Sequence, residues 1–388
     1  MGCALEVPAV AMPRVLGRAG RSGGPTLVVT AGIHGNEPAG VRSAERVLAA
    51  LHSRGTPLAG ELVVLVGNRA ALARDARFLD EDLNRLWTAE RLAALRTRPS
   101  AHDHAEEREQ RELAAELEPL LAREGVTLLD LHSTSGDGPP FALAGDTLQN
   151  RRVACALQVP FLLGLEETVR GTLVEHVGAL GHVAIVVEGG QSRDPRTAEL
   201  LESALWVTLV SSGVASKGDL PEFELHRERL RSAARGLPAV IEVSHRHEIA
   251  PEDERRFEML PGLVGFARVE RGTLLAHYGG GRERPVHAPF SGLLLLPRYQ
   301  SQGRDGFFLG TSVSSVWLVL SAALRRLHLE RLLGRLPGVR VEERAGHSLT
   351  IDRRIARFFA AELFHLLGYR RREEHGHALV VSRRNDRL

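Results

Sequence analysis

His34-Gly35-Asn36-Glu37 sets an imidazole and a carboxylate three positions apart, directly after the apolar run Thr26–Ile33. A glycine-flanked turn at a strand's end lets two such side chains converge on one metal ion. A second apolar run, Val126–Leu131, delivers His132 at its own end. Two His and one Glu make the three-ligand, open-position set of a catalytic zinc, whereas a structural zinc site is closed by four ligands, usually including Cys. A His-x-x-Glu pair alone is common, and a His beside a strand end is often simply hydrogen-bonded. Here both groups follow buried strands, and ligands of open α/β sheets gather at strand carboxyl ends. The pattern therefore favours one Zn2+ per chain, held by His34, Glu37 and His132. Asp130, two residues before His132, is either a carboxylate that orients the imidazole or a buried hydrogen-bond acceptor.

Zinc lowers the pKa of water toward ~7 and polarises a carbonyl, but hydrolysis still needs a group to take the water's proton. Glu188 stands directly after the apolar run Val183–Val187, at the start of Glu-Gly-Gly-Gln. A carboxylate there is costly unless it is used, paired or solvated, and it reads as the general base. Asn68-Arg69 and Arg77-Phe-Leu-Asp-Glu-Asp-Leu-Asn-Arg85 add guanidinium groups beside Asp80, Glu81 and Asp82. Arginine forks hold carboxylates and stabilise oxyanions. By spacing alone, though, this segment reads as a charge cluster pairing with itself.

These groups need elements to hold them. Residues 26–31 and 61–66 are short, β-branched apolar runs of the kind buried on both faces of a sheet. Between them, Val41, Ala44, Val47, Leu48 and Leu51 recur at helical spacing, so a βαβ unit is expected. Residues 106–123 form a charged helix with Leu113, Leu117 and Leu120 on one face. Strands at 126–131, 161–164 and 183–187 and a helix over 196–212 complete an α/β unit with a mostly parallel sheet. After a polar stretch at 216–235, alternating runs at 239–243, 265–269, 292–296 and 307–309 predict a small all-β unit. The remainder, 316–388, carries helical patterns at 316–335 and 353–367 and strands at 339–343, 347–351 and 378–382. Its Arg-rich stretches lack the aromatic pairing or glycine loop of an RNA binder, so packing or homo-oligomerisation is its expected role. The expected division is residues 1–215, 216–315 and 316–388.

Composition limits the alternatives. The chain of 388 residues exceeds what one core usually organises. Its formal net charge of +2 gives no nucleic-acid footprint. Lys217 is the only lysine, which reads as a coding bias toward Arg. Cys3 and Cys155, the only cysteines, supply neither a disulfide framework nor a Cys-based zinc cluster, and they fit a reducing cytoplasm. No apolar run reaches the roughly eighteen residues of a membrane helix, and no signal peptide is evident.

His34-Gly-Asn-Glu37, Asn68-Arg69, Arg77…Asp82-Leu-Asn-Arg85, Asp130-Leu-His132 and Glu188-Gly-Gly-Gln191 together resemble, in order and spacing, the succinylglutamate desuccinylase/aspartoacylase family of zinc carboxypeptidase-like amidohydrolases. The resemblance runs over roughly residues 25–310, including His287–Gly292 and Pro297–Gln300. It implies His34, Glu37 and His132 as zinc ligands and Glu188 as the base. It also implies Arg77 as the carbonyl polariser, Asn84 and Arg85 as holders of the substrate α-carboxylate, and Asn68 as a substrate-side residue. The implied fold is a doubly wound, mostly parallel sheet of zinc-carboxypeptidase type, with the small β domain and an appended α/β tail. The implied activity is hydrolysis of a small N-acyl amino acid or related amine, without nucleic acid or membrane as partner. A carboxypeptidase acting on a peptide's C-terminal residue, or a non-catalytic ligand-binding relative, would use the same residues. One departure stands out: relatives of the aspartoacylase type carry a further substrate-binding Arg shortly before the base-bearing strand. This chain has Gly171–Gly178 there, with Arg170 the nearest guanidinium and Glu175 and His176 in its place. His102, His104, His245 and His247 read as exposed histidines, and Tyr299 as a candidate donor from the β unit.

Overall fold

The computed structural model describes residues 12–279 and 284–328, together with 333, 337–342, 348–352, 367–369, 371–375 and 378–382. Its framework is an eleven-stranded mixed sheet. Strands β1 (Val15–Gly20), β2 (Thr26–Ala31), β3 (Glu61–Val66) and β4 (Val126–Thr134) lie toward one edge. The sheet continues through β5 (Phe141–Leu143), β6 (Phe161–Leu163), β7 (Val183–Gln191) and β8 (Val240–Glu248). β2 pairs in parallel with β3 and β4, and β4 in parallel with β7; β5 joins β7 antiparallel and β6 in parallel.

The central strands read as nearly unbroken apolar runs because both faces are covered. Leu27, Val29 and Ala31 of β2 pack on one side with Leu129 and Leu131 of β4 and Ile185 and Val187 of β7. Helices α1 (Ala39–Arg54) and α8 (Pro195–Ser211) cover that side, the former through Val41, Ala44, Val47, Leu48 and Leu51. Val28, Leu128, Ala184 and Val186 face the other way. There they meet Leu113, Leu117 and Leu120 of α4 (Ala105–Leu121) and Leu173, Val174 and Val177 of α7 (Leu173–Ala179). The remaining helices of this part are α2 (Arg69–Leu72), α3 (Ala89–Thr97), α5 (Leu148–Ala156), α6 (Leu165–Thr168) and α9 (Phe223–Ala233).

The β-rich segment shares the central sheet. β8 runs parallel to β6 and carries β14 (Asp305–Ser312), then β13 (Gly292–Leu295) and β10 (Arg268–Val269). A separate three-stranded sheet of β9 (Phe257–Met259), β11 (Leu274–Tyr278) and β12 (Arg284–His287) packs beside it. The all-β stretch expected after residue 216 is thus joined to the α/β unit by backbone hydrogen bonding. Of the expected strand at 265–269, only Arg268–Val269 pairs, and Phe266 takes a left-handed φ of 67°.

Beyond it, α10 (Ser315–Arg326) leads to an antiparallel sheet of β15 (Val339–Glu342), β16 (Ser348–Asp352), β17 (Arg371–His375) and β18 (Ala378–Ser382). Cys3, residues 353–366 of the helical pattern expected at 353–367, and 329–332 and 334–335 of that expected at 316–335 lie outside the described residues. Arg325 of α10 is fully buried and donates to the Asp146 carboxylate and carbonyl oxygen, and Arg151 holds the same carboxylate at 2.6 Å. Among the described residues no helix is long and apolar enough to cross a membrane.

Candidate active site

The turn after β2 is held tightly against α2. A Cβ at Gly35 would lie 2.1 Å from the Ala71 carbonyl carbon, so only glycine lets the turn sit there. That placement folds Glu37 back between two imidazoles. Its Oε1 lies 2.8 Å from His34 Nδ1, and its Oε2 lies 3.1 Å from His132 Nδ1 and accepts from the Ser133 N–H at 2.9 Å. All three residues are buried, and one ligand atom from each lies within 4.8 Å of the others.

The far nitrogens are tied down by carboxylates. His132 Nε2 donates to Asp130 Oδ2 at 2.8 Å, while Thr30 Oγ1 donates to Asp130 Oδ1 at 2.7 Å. His34 Nε2 donates to Asp82 Oδ1 at 3.2 Å. A proton fixed on Nε2 leaves the Nδ1 lone pair for a metal, the arrangement that orients and strengthens imidazole ligands. Asp130 therefore takes both roles the sequence left open. In the metal-free chain, burial pushes the His132 imidazolium down, but Asp130 and Glu37 outweigh it and hold its pKa well above the ordinary value. Burial likewise opposes ionisation of Glu37, yet His34 and His132 pull its pKa far below the usual carboxylate range.

Glu188 lies opposite His132 in the β4–β7 register, on the strand face shared with Val186. Both residues were expected just past their strands; each lies inside one, because β4 and β7 continue to Thr134 and Gln191 with a register shift after His132. The Glu188 Oε2 atom is enclosed and has no hydrogen-bond partner. Burial, with a contribution from Glu37, raises its carboxyl to about 7 against the lowering pull of His132, His34 and Arg77.

Arg77 is half-buried against this group, 3.2 Å from Asp82 and 3.5 Å from Glu37. Arg85 donates to Asp305 at 2.6 Å and to the Asn84 carbonyl at 2.8 Å. Asn84 Oδ1 accepts from the Leu173 N–H at 2.9 Å. All three line one cleft with His34, Glu37, His132 and Glu188. Asn68 does not. Its Oδ1 caps α2 through the Ala71 N–H at 3.0 Å, and its Nδ2 donates to Glu106 at 3.0 Å, so the expected substrate contact is replaced by a fully buried structural one. An Asn before a helix start is a capping signal, and that reading fits the residue better.

The stretch 171–178 contributes only Thr172 and Val174 to the cleft; Arg170 is exposed and Glu175 holds the Gly171 N–H. Tyr299 turns away, donating to the Leu260 carbonyl at 2.6 Å. His245 and His247 are on β8 rather than in a loop. His247 stacks on Phe307 at 5.0 Å and is driven to a pKa of about 4 by burial. His102 is exposed, whereas His104 is half-buried among Asp80, Glu81, Glu106 and Glu107. Two contributors were not singled out from sequence. Asp82 was visible only as one acid of a cluster, and Asp305 of β14 lies too far along the chain for spacing to mark it.

Residues 23–207 match the model of the succinylglutamate desuccinylase/aspartoacylase catalytic domain. The chain is 27% identical over 276 residues to the succinylglutamate desuccinylase of Serratia proteamaculans, covering 67% of this chain and 77% of that protein. A segment of 67 residues is 40% identical to the Pseudomonas paraeruginosa succinylglutamate desuccinylase, spanning 17% of this chain and only 20% of the relative. In fold it is similar to the crystal structure of a succinylglutamate desuccinylase/aspartoacylase from Rhodobacter sphaeroides. That match has a TM-score of 0.55 at 17% identity, over 76% of this chain and 88% of the other.

Proposed function

We propose that the chain, whose residues 23–207 match the succinylglutamate desuccinylase/aspartoacylase catalytic domain, is a member of that family and a zinc-dependent deacylase cleaving the amide bond of a small N-acyl amino acid or related N-acyl amine. The observation that carries this reading is the convergence of His34, Glu37 and His132 beside the enclosed, unpartnered oxygen of Glu188.

The residues present suit a zinc ion. Two imidazoles with their Nε2 protons engaged and one carboxylate form a borderline-soft, three-donor set that leaves a position open. When bound, zinc supplies Lewis acidity, acidifying water and polarising a carbonyl. The remaining chemistry falls to this chain's side chains. Glu188 accepts a proton from the attacking water at its free oxygen and passes it to the departing amine, a shuttle suited to a carboxyl near neutral pKa. Arg77, fixed by Asp82, stabilises negative charge developing on the carbonyl oxygen. Arg85 and Asn84 orient the substrate through its carboxylate.

The test is hydrolysis of N-acetyl, N-succinyl and longer N-acyl amino acids by zinc-supplied protein, with peptides alongside. Glu188→Gln is expected to keep one zinc per chain and lose at least 100-fold in kcat, in line with the ~10²–10⁴-fold worth of a general base. Release of C-terminal residues from peptides, with no acyl amino acid cleaved, would replace the deacylase by a carboxypeptidase.

A further inference from the structure

Resting on the deacylase reading, we infer that this cleft selects substrates carrying a single carboxylate and an uncharged, apolar acyl group, and that Asp305 enforces the choice. Three guanidinium groups line the cleft. Arg77 is neutralised by Asp82 and Glu37. Arg298 is turned to main-chain oxygens, donating to the carbonyls of Gly303, Glu254 and Phe257 at 2.5, 2.8 and 3.1 Å. Arg85 is the most accessible, its side chain 27% exposed against 14% for Arg77. That leaves one cation to receive one substrate carboxylate.

Even that cation is partly balanced. Asp305 places one oxygen 2.6 Å from Arg85 Nη2 and the other 2.6 Å from Arg246 Nε. It is itself a lining residue, so an approaching second carboxylate meets a like charge whose two neighbouring cations are already engaged. Large apolar side chains line much of the remaining cleft wall, namely Leu143, Leu165, Val169, Val186, Leu296 and Phe308, alongside the polar Ser133, Thr134, Ser135, Thr172, Gln300 and Gln302. An ionised group pressed against the apolar side chains loses water and gains no hydrogen bond from them, and the polar lining groups are already engaged, as in Asn36 to Gln300 at 2.9 Å and Gln302 to the Phe78 carbonyl at 3.1 Å. The stretch 171–178 brings no guanidinium to the cleft to compensate. A substrate whose carboxylate sits on Arg85 and whose carbonyl reaches the His34–Glu37–His132 group has this wall left for its acyl chain.

N-butanoyl and N-succinyl amino acids form a matched pair, because they share a four-carbon chain and differ by a terminal carboxylate. Their dissociation constants are measured by calorimetry on zinc-loaded Glu188→Gln protein, where binding is read without turnover, and kcat/KM is measured on the wild type. N-butanoyl-L-glutamine is expected to bind at least tenfold more tightly than N-succinyl-L-glutamine. Asp305→Asn is expected to narrow that gap at least fivefold by leaving Arg85 and Arg246 unneutralised; should this variant not fold, the wild-type pair decides. Equal or tighter binding of the succinyl compound would overturn the inference and mark Arg298 as a second anion site. A butanoyl preference in binding with no hydrolysis by the wild type would remove the deacylase reading and leave the selectivity standing. No binding of either compound would remove both.

Discussion

Replacing Asp130 by Asn changes almost no volume and tests how far the proposed metal site depends on a residue that is not one of its proposed ligands. Asp130 is fully buried on β4, accepting from Thr30 Oγ1 at 2.7 Å and from His132 Nε2 at 2.8 Å. An amide in its place keeps one acceptor and introduces a donor. If that donor faces Thr30, the hydroxyl rotates and the loss is one charge-assisted bond to His132. Bonds to charged groups are worth about 1.5–3 kcal/mol and neutral ones about 1 kcal/mol, so the difference is about 1–2 kcal/mol. If the donor faces His132, the imidazole proton is driven to Nδ1, the atom turned toward Glu37, and the ligand is blocked until the ring rearranges. Either way zinc affinity is expected to fall about 10- to 100-fold, the usual worth of a carboxylate behind a ligating imidazole. Competition against a chromophoric chelator at fixed pH measures this, with the thermal unfolding of the zinc-free protein showing that the fold persists. Unchanged zinc affinity in a folded Asp130→Asn protein would mean that His132 Nδ1 is not the ligating atom.

Other outcomes follow from the same geometry. Glu188 has its folded pKa raised from about 4.5 to about 7, so the stability this protonated carboxyl contributes is complete below pH 4.5 and disappears as pH rises through 7. Zinc-free wild type should therefore lose roughly 1–3 kcal/mol relative to Glu188→Gln between pH 4.5 and 7.5 in paired urea titrations, and parallel curves would show that the carboxyl is not held protonated. Asn68→Ala removes a helix cap and leaves Glu106 without one donor, so stability should drop by about 1–2 kcal/mol while kcat/KM stays within twofold; a selective rise in KM would return Asn68 to the substrate. Arg325→Ala strips one cation from the buried Asp146–Arg151 group and should cost about 3 kcal/mol, with faster proteolysis after residue 314 as the readout; equal stability would mean that α10 docks by apolar contact alone.

Local patterning accounts for much of this molecule. The apolar runs at 26–31, 61–66, 126–131 and 183–187 could be read as strands because a sheet covered on both faces leaves few polar positions in its central strands. The spacing within His34–Glu37 and the placement of His132 and Glu188 after such runs marked the candidate metal-binding and proton-transfer groups. Strand periodicity then put Asp130 and His132 on one face, and the register set Glu188 beside them. What tertiary structure alone decided is who neutralises whom. Asn68 and Asn84 look alike in sequence, yet one is consumed by a helix cap and the other lines the cleft, because α4 brings Glu106 to the first and α7 brings Leu173 to the second. Asp305, 220 residues from Arg85, carries no local signature; antiparallel pairing of β14 with β8 brings it to Arg246, and the closing of the cleft brings it to Arg85. Spacing along a chain encodes what one element presents, whereas the charge balance of a cleft is a sum over elements whose proximity exists only after the sheet has formed.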